Sequence, residues 1–433
     1  MIVRETGIRH RGADNGRLLT DCPEDHGRRR RLPGDPDWIV CMGGEDWYYH
    51  SHAHFDIQVM KRMARRCRVL YICSIGMRMP SLRRDAQFWT RIRNKLASVK
   101  HQLRRDSENL WVYSPLPLPL YQWSWGRSLN HALLGAQLRT VFSRLSIYNP
   151  LLWINTPTGW PVVKHLRHRG VVYQRTDEYA ELRFDNFNAD YVRAVDGELL
   201  RTADLVLHVD EGLHVRTQGL ARAALLLEQG VDERFLEADG PVTVPADLPV
   251  GRGPILGYVG NLEPHKFDAE LVRATAERLS DCCFVIIGPY HQNADGLRRL
   301  SNVHFLGPRP HDRILDYVRA FDVCMLPTAR TEWGLHCKPI KLMEYLAADR
   351  PVVATRTPAS ERFADLVYIS DEPELWVLAI REILAGNSHG RGVARARVAG
   401  CAWNRHVDRI WAALAELQLA HQSPLNRDRK LVP

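Results

Sequence analysis

The chain has 433 residues, more than a single hydrophobic core usually organises, so two domains are expected. Hydrophobic residues make up 45% of the chain and charged residues 25%, which excludes a disordered or fibrous protein. The formal net charge of +9 predicts an acidic partner, namely nucleotide phosphate, nucleic acid or anionic lipid.

The nine cysteines are scattered and form no C-x-x-C pair and no zinc-binding spacing. Such a set favours a reducing cytosol, where free thiols inside strands act as small apolar side chains. No apolar run approaches the roughly 18 residues of a membrane-spanning helix, and the first residues do not resemble a signal peptide. We therefore expect a cytoplasmic protein that does not cross a membrane.

The first part of the chain predicts a parallel sheet. Residues 1–35 show little apolar periodicity and end in GRRRRLPGDP, which predicts a flexible basic leader. Seven short apolar runs then alternate with helix-length segments: Asp37–Met42, Arg68–Ser74, Leu110–Ser114, Leu151–Asn155, Val171–Arg175, Asp204–Val209 and Ala223–Glu228. Strands and helices in this alternation indicate a parallel, doubly wound α/β sheet.

A segment rich in Pro, Gly and Asp at 236–252 predicts a linker, after which the alternation restarts. Six further strands are predicted: Pro254–Gly260, Cys283–Gly288, Val303–Leu306, Asp322–Leu326, Pro351–Thr355 and Val367–Ser370. We therefore predict an α/β protein of two Rossmann-like domains, 36–240 and 241–402. Residues 403–433 would form a helix that crosses back to the first domain, and a tail.

The stretch Thr331–Thr355 contains the residues most typical of a ligand site. It reads as a loop, a short helix and a β-branched strand, in the place where α/β sheets bind nucleotides and phosphates. Lys341 can meet a phosphate, and Glu344, on the same helix face, can accept hydrogen bonds from a sugar diol. The alternative is an amphipathic helix with both residues on its solvated face.

The first predicted strand runs into Gly43 and Gly44, followed by Asp46 and His50 among Trp and Tyr residues. Glycines in this place let backbone N–H groups approach a phosphate or a sugar, and the alternative, which two glycines alone favour, is a plain tight turn. Aromatic rings with polar tips suit a carbohydrate or a lipid-linked substrate. We predict an acceptor or phosphate loop here.

Leu82–Arg105 has apolar residues at three- and four-residue steps, with Arg and Lys on the remaining face. A helix packed on its own core is one interpretation, and a basic helix lying on an anionic membrane surface is the other. The Pro-, Leu- and Trp-rich segment Ser114–Arg127 favours the membrane surface because it is hard to bury as a loop.

Two further residues are candidates by position. Asp177 follows the strand Val171–Arg175, where a carboxylate points into the ligand crevice, so it is a candidate general base. A helix N-cap is the alternative role for Asp177. Lys266 follows the strand that ends at Gly260 and can neutralise a diphosphate, or it is simply a surface lysine.

Six segments, taken together, carry a family resemblance: Val172–Tyr179, Ala203–Leu213 (ADLVLHVDEGL), Gly230–Phe235 (GVDERF), Gly260–Lys266, Val303–Gly307 and Pro339–Ala347 (PIKLMEYLA). In order and spacing they resemble the GT-B glycosyltransferases, in particular the family-four-like bacterial enzymes that build surface polysaccharides, including exopolysaccharides. The resemblance implies two Rossmann-like domains facing a cleft, with the acceptor bound by the first and the nucleotide-sugar by the second.

By this resemblance, Lys266 and Lys341 would contact the donor diphosphate, and Glu344 would hold the ribose hydroxyls. The donor-binding set would also include Gly260, Asn261 and His336. Asn261 stands where the family has an arginine, so one diphosphate contact is missing or moved. His336 stands eight residues before Glu344, where the family has a carboxylate that binds the donor sugar. A retaining reaction and an inverting one with Asp177 as base therefore both remain open.

The sequence thus predicts a glycosyltransferase (EC 2.4 class) that moves a sugar from a UDP- or GDP-linked donor to a lipid-linked or glycan acceptor. We expect no metal and no further cofactor, and a peripheral location on the inner, anionic face of the plasma membrane. A nucleotide-sugar 2-epimerase on the same fold is the alternative. A nucleic-acid-binding protein is less favoured because no such motif is present, and a dehydrogenase because no G-x-G-x-x-G follows either first strand.

Overall fold

The structure is a computed structural model that describes residues 17–18, 36–47, 53–75, 102–118, 120, 123–176, 189–217, 219–249, 251–337 and 339–422. The chain divides into two compact units. Unit 1 comprises Met1–His50, Val59–Glu228 and Val407–Pro433, and unit 2 comprises Ser51–Gln58 and Gln229–His406.

Unit 1 is built on one nine-stranded sheet. Its strands are β1 (Arg17–Leu18), β2 (Trp38–Met42), β3 (Arg68–Ile72), β4 (Leu103–Ser107), β5 (Leu110–Tyr113), β6 (Leu151–Ile154), β7 (Gly170–Arg175), β8 (Leu205–His208) and β9 (Ala223–Leu226). Their spatial order is β1-β9-β8-β7-β6-β2-β3-β5-β4, and each neighbouring pair is parallel except β4 with β5. The central strands are buried along their whole length, which is why they appear in the sequence as continuous apolar runs.

Within its described ranges, this part of the chain has five α-helices: α1 (Phe55–Met63), α2 (Ser124–Leu145), α3 (Trp160–Val163), α4 (Ala189–Thr202) and α5 (Glu211–Arg216). One face of α2 contributes Leu134, Leu138 and Val141 to a core shared with the strands. The helix ends at Ser146, whose left-handed backbone (φ 53°) turns the chain toward β6.

The prediction of a helix over Leu82–Arg105 is wrong for its last three residues. Residues 76–101 lie outside the described part of the chain, but Leu103–Ser107 is the strand β4, antiparallel to β5. The Glu108–Asn109 turn brings the segment back along the sheet edge, and the guanidinium of Arg105 lies 5.2 Å from the ring centroid of Trp111. A polar edge strand of this kind has no apolar run, so its sequence resembled a continuing helix.

Unit 2 is built on a six-stranded, all-parallel sheet. Its strands are β10 (Ile255–Val259), β11 (Cys283–Ile287), β12 (Val303–Phe305), β13 (Val323–Leu326), β14 (Val352–Ala354) and β15 (Val367–Ile369). The spatial order β12-β11-β10-β13-β14-β15 is that of a doubly wound fold, in which the direction of winding reverses between β10 and β13.

Nine α-helices are described in this part of the chain: α6 (Glu233–Leu236), α7 (Ala269–Arg278), α8 (His311–Ala320), α9 (Glu332–His336), α10 (Ile340–Ala347), α11 (Pro358–Glu361), α12 (Pro373–Leu384), α13 (Ala394–Val398) and α14 (Trp403–Gln422). Alternate strand residues feed two cores, one on each face of the sheet: Val285 belongs to one and Phe284 to the other. From Val407 onward, α14 is grouped with unit 1. The crossing of this helix stays a prediction.

The predicted α/β class is confirmed, with one sheet in each unit. Every strand predicted from an apolar run is present. β1, inside the predicted leader, and β4 were missed. Across the described ranges, no helix combines the length and apolar character needed to cross a membrane.

Candidate functional site

The candidate site of unit 2 lies at the point where the sheet reverses its winding. Two loops leave the carboxyl ends of the neighbouring strands β10 and β13 there, which is where doubly wound sheets bind ligands. Backbone and side-chain hydrogen bonds join the loops: Asp268 N donates to Pro327 O (2.9 Å), and Thr331 Oγ1 donates to His265 O (2.8 Å). Thr331 also caps α9. These hydrogen bonds hold the two loops against each other.

Helix α10 begins beside these loops with its amino end uncapped by a side chain. Its N-cap is Pro339, which makes no capping hydrogen bond, and its first turn has no acidic residue. Buried Leu342, Tyr345 and Leu346 fix the helix to the core, and the Tyr345 hydroxyl accepts a hydrogen bond from Val259 N (2.9 Å) at the end of β10. Because the first N–H groups of a helix carry partial positive charge, this end favours an anion.

Lys341 extends this positive character into the site. Lys341 is half-buried, and its ammonium nitrogen lies 5.3 Å from the ring centroid of Tyr258. A Cβ built on Gly260 would come within 2.6 Å of that ammonium nitrogen, so glycine is what allows lysine and backbone to meet. Among the residues that the structure describes, Lys341 forms no ion pair with a carboxylate. A partly dehydrated cation in this condition is suited to an anionic ligand.

Tyr258 completes the surroundings of Lys341. Burial raises the pKa of Tyr258, and the charge of Lys341 acts in the opposite direction. The Tyr258 hydroxyl donates to Asn261 O at 3.1 Å. Tyr258 is therefore a neutral support for the ammonium and does not neutralise it.

Glu344 is buried and hydrogen-bonded. Glu344 as a whole residue is 5% exposed. Its Oε1 lies 2.8 Å from Nε2 of His311, at the start of α8. The positive charge of Arg234 also interacts with Glu344. The prediction for Glu344 did not include His311, because the pairing depends on how α8 packs and no motif marks it. No hydrogen bond joins its second carboxylate oxygen to the described residues.

The other residues predicted in this site differ in their surroundings. Lys266 Nζ forms an ion pair with Glu263 Oε2 at 2.7 Å. Burial acts to raise the pKa of Glu263. The hydrogen bond from Lys266, its positive charge, and the charges of His265 and His291 outweigh burial and hold this pKa below its usual value. Asn261 Oδ1 accepts from Glu263 N at 3.0 Å and so shapes the turn. His336 is the last residue of α9, and its side chain lies outside the described residues.

In unit 1, the predicted glycine loop follows β2 beside the point where that sheet reverses. A Cβ on Gly43 would lie 2.2 Å from the Tyr71 hydroxyl, and one on Gly44 would lie 2.3 Å from Asn155 Nδ2. Protein atoms thus occupy the space that the missing side chains leave, which favours a structural turn. Asp46 is 8% exposed, and His50 lies outside the described residues.

Asp177 also lies outside the described residues, directly after Thr176 at the end of β7. At the carboxyl end of β7, Arg175 forms a buried ion pair with Asp196 at 3.0 Å. His208 ends the next strand, and burial together with the charges of His214 and Arg175 lowers its pKa to about 3. These buried polar groups at the carboxyl edge of the sheet were not predicted from the sequence.

Comparison with protein families identifies part of unit 2. Residues 253–386 match the family described as "Glycosyl transferases group 1". A relative, the "Putative teichuronic acid biosynthesis glycosyltransferase TuaH" of Bacillus subtilis (strain 168), is 25% identical over 255 residues, which cover 54% of this chain and 64% of the relative. A "D-inositol 3-phosphate glycosyltransferase" of Mycobacteroides abscessus is 27% identical over 189 residues, 39% of this chain and 41% of the relative. The chain therefore spans less than two thirds of each relative.

Solved structures share the fold over most of the chain. Anabaena Alr3699/HepE, in complex with UDP and glucose, superposes with a TM-score of 0.61 at 17% identity and covers 88% of this chain and 100% of that one. The sucrose-phosphate synthase of Thermosynechococcus elongatus gives a TM-score of 0.63 at 15% identity, covering 89% and 100%. The resemblance read from the sequence is confirmed at this level: residues 253–386 are a group 1 glycosyl transferase domain, in a chain that has the fold of the GT-B glycosyltransferases.

Proposed function

We propose that the protein is a glycosyltransferase that moves a sugar from a nucleotide-sugar to a lipid-linked or glycan acceptor in surface polysaccharide synthesis. The residues 241–402 bind the donor, and residues 36–240 bind the acceptor. The observation that carries the proposal is Lys341, a half-buried cation without a carboxylate partner in the described part of the chain, at an uncapped helix end of a group 1 glycosyl transferase domain.

The arrangement suits a leaving nucleoside diphosphate. As the bond between sugar and phosphate breaks, negative charge develops on the diphosphate. We expect the ammonium of Lys341 and the first N–H groups of α10, whose N-cap makes no side-chain hydrogen bond, to stabilise this charge. Lys266 serves as a second cation once the ligand competes with Glu263 for it. We propose that the two lysines and the amino end of α10 together stabilise the leaving diphosphate in a reaction without a metal.

The same site offers a contact for the nucleoside. Glu344 keeps one oxygen on His311 and offers the other to the ribose hydroxyls. A solved neighbour of the same fold, Alr3699/HepE, was captured with UDP, which supports a uridine nucleotide as the first donor to test. Gly260, Asn261 and His336 complete the proposed donor set.

The acceptor side rests on unit 1. We propose Asp177 as the base that takes the proton of the attacking hydroxyl, with Gly43, Gly44, Asp46 and His50 near the acceptor. The TuaH relative is named for teichuronic acid biosynthesis, which supports a role in polymer synthesis. We further propose that the enzyme works on the inner, anionic surface of the plasma membrane.

A binding and turnover panel tests this function. The full chain is mixed with UDP, GDP and ADP and with their sugars, and nucleotide binding is followed by calorimetry and sugar transfer by labelled product in a membrane extract. We expect binding of one nucleoside diphosphate and transfer only when the extract is present. Conversion of the sugar without an acceptor would instead identify an epimerase, and no binding by any nucleotide would refute the donor site.

A further inference from the structure

Helix α2 has apolar residues on both of its faces. One face packs into the unit 1 core through residues such as Leu134 and Leu138. The opposite face is exposed, and its apolar residues follow at four-, three- and four-residue steps, so they form one stripe: Trp125, Leu129, Ala132 and Ala136. Trp125 is 59% and Leu129 46% exposed. A surface helix normally turns its outer face polar, so this stripe needs an explanation.

Two tryptophans stand at the amino-terminal end of the stripe. Trp123, which is 45% exposed, stacks on Trp125 with ring centroids 5.7 Å apart. Beyond the carboxyl end of the helix, Tyr148 is 66% exposed, and the guanidinium of Arg167 lies 4.6 Å from its ring centroid. Tryptophan and tyrosine combine an apolar ring with a polar group and are enriched at membrane–water interfaces.

The tryptophans stand on a fixed support. Asn130, fully buried in α2, binds both backbone groups of Leu118, with Leu118 N at 2.7 Å and Leu118 O at 2.9 Å. Gln137 binds Leu116 in the same way, at 3.1 Å and 3.0 Å. The Pro- and Leu-rich segment before the helix is therefore tied to it, and the exposed rings need little further ordering to bind a partner.

The charges beside the stripe are mostly positive. A groove of about 690 Å³ lies between α2, α3 and α4, and Arg139 and Lys164 are among its lining residues. Glu198 is the single carboxylate among these lining residues and bonds Lys164 at 3.1 Å. Neither Arg139 nor Arg167 forms an ion pair within the described ranges, and Arg167 contacts the Tyr148 ring. Unpaired basic groups beside exposed aromatic rings fit an anionic lipid surface.

We propose that the outer face of α2 docks the protein onto an anionic membrane. Trp123, Trp125 and Leu129 enter the boundary between headgroups and acyl chains, and Arg139 and Arg167 contact the lipid phosphates. This inference rests on the membrane location in the proposed function and specifies the surface that provides it. It places the docking surface on described residues outside the basic segment Leu82–Arg105.

Vesicle sedimentation of the full chain tests the proposal. Vesicles of phosphatidylcholine with and without phosphatidylglycerol serve as the probe, and Trp fluorescence is read in parallel. We expect binding only with phosphatidylglycerol, with a blue shift of the emission. The double variant Trp125→Ser/Leu129→Ser should lower the binding constant about tenfold or more, since it removes apolar area that the bilayer buries. Arg139→Glu should weaken binding and make it less sensitive to salt.

The matched control is Leu375→Ser/Leu378→Ser, which removes two exposed leucines (47% and 60% exposed) from α12 and should leave binding unchanged. Equal vesicle binding by the α2 double variant and the wild type would overturn the assigned surface. The assigned surface would also be overturned if the α2 variants had no effect and neutralising Arg83, Arg84, Arg91 and Arg93 released the protein from the vesicles. That result would still support a membrane location. If the wild type did not bind anionic vesicles, both the proposed membrane location and the proposed docking surface on α2 would be refuted. Nucleotide binding in solution tests the donor site separately.

Discussion

Replacing Lys341 by methionine removes the cation of the proposed donor site and keeps the length of the side chain. Lys341 forms no carboxylate ion pair in the part of the chain that the structure describes. Its loss therefore leaves no unpaired partner charge behind. We expect the variant to keep its fold and to lose nucleotide affinity.

The two effects have different sizes. A hydrogen bond to a charged group contributes about 1.5–3 kcal/mol, so the dissociation constant for the nucleoside diphosphate should rise about 10- to 150-fold. For stability, the contact with the Tyr258 ring is worth about 0.5–1 kcal/mol, and removing a half-buried charge acts in the opposite direction. The free energy of unfolding should therefore change by less than about 1 kcal/mol.

Calorimetry with UDP and chemical denaturation measure both quantities on the same protein. Lys61→Met is a matched control, since this lysine also lies over an aromatic ring, 5.5 Å from the centroid of Trp47, but in unit 1. The control should bind UDP normally. An unchanged dissociation constant in Lys341→Met, or a loss of stability above about 3 kcal/mol, would refute the reasoning.

Three other substitutions test separate parts of the structure. Glu344→Ala should cost about 1–3 kcal/mol of stability because His311 loses its partner, whereas Glu344→Gln should mainly lower the preference for UDP over its 2′,3′-dideoxy analogue. An equal preference in Glu344→Gln and wild type would argue against ribose binding. The pKa of His208 is about 3 in the fold and 6.5 ordinarily, so protonation favours the unfolded chain as pH falls from 6.5 toward 3. This group should cost about 2 kcal/mol at pH 5, and His208→Gln should show a flatter stability profile in pH-dependent denaturation; an unchanged slope would contradict the buried neutral imidazole. Thr331→Val should cost about 1 kcal/mol and weaken UDP binding, because it removes the cap of α9 and one bond between the loops. Normal binding and stability would show that the loops do not depend on it.

The strands were predictable because parallel strands are buried on both faces. Cys283–Ile287 is buried at every position, so its sequence is an unbroken apolar run with clear ends. β4 has the opposite character, since four of its five residues are exposed, and its Leu-Arg-Arg-Asp-Ser sequence carries no strand signal. What pairs such a strand to the sheet is the neighbouring β5, and only the folded chain shows that.

The placement of Lys341 and Glu344 was predictable because its signal is local. Lys341 and Glu344 lie on one short helix after a buried strand, and the structure has that helix at the reversal point of the sheet. Their partners come from distant segments: His311 stands 33 residues before Glu344 and meets it through the packing of α8. Glu263 was close in sequence to Lys266, but three-residue spacing in a loop does not reveal an ion pair.

The glycines after β2 show a further limit of sequence reasoning. Gly43 and Gly44 suited a ligand loop, yet Tyr71 and Asn155 fill the space beside them. A missing side chain leaves room for protein and for ligand alike, and the sequence does not say which of them uses it.

The most direct measurement of the central claim is acceptor-dependent release of nucleoside diphosphate. The wild-type chain and Lys341→Met are incubated with UDP-, GDP- and ADP-sugars, with and without a membrane extract, and the released nucleotide is quantified. We expect the wild type to release nucleotide from one class of donor, dependent on the extract, and Lys341→Met to release far less. Release by Lys341→Met at the wild-type rate, or none from any donor together with no thermal shift by any nucleoside diphosphate, would contradict it.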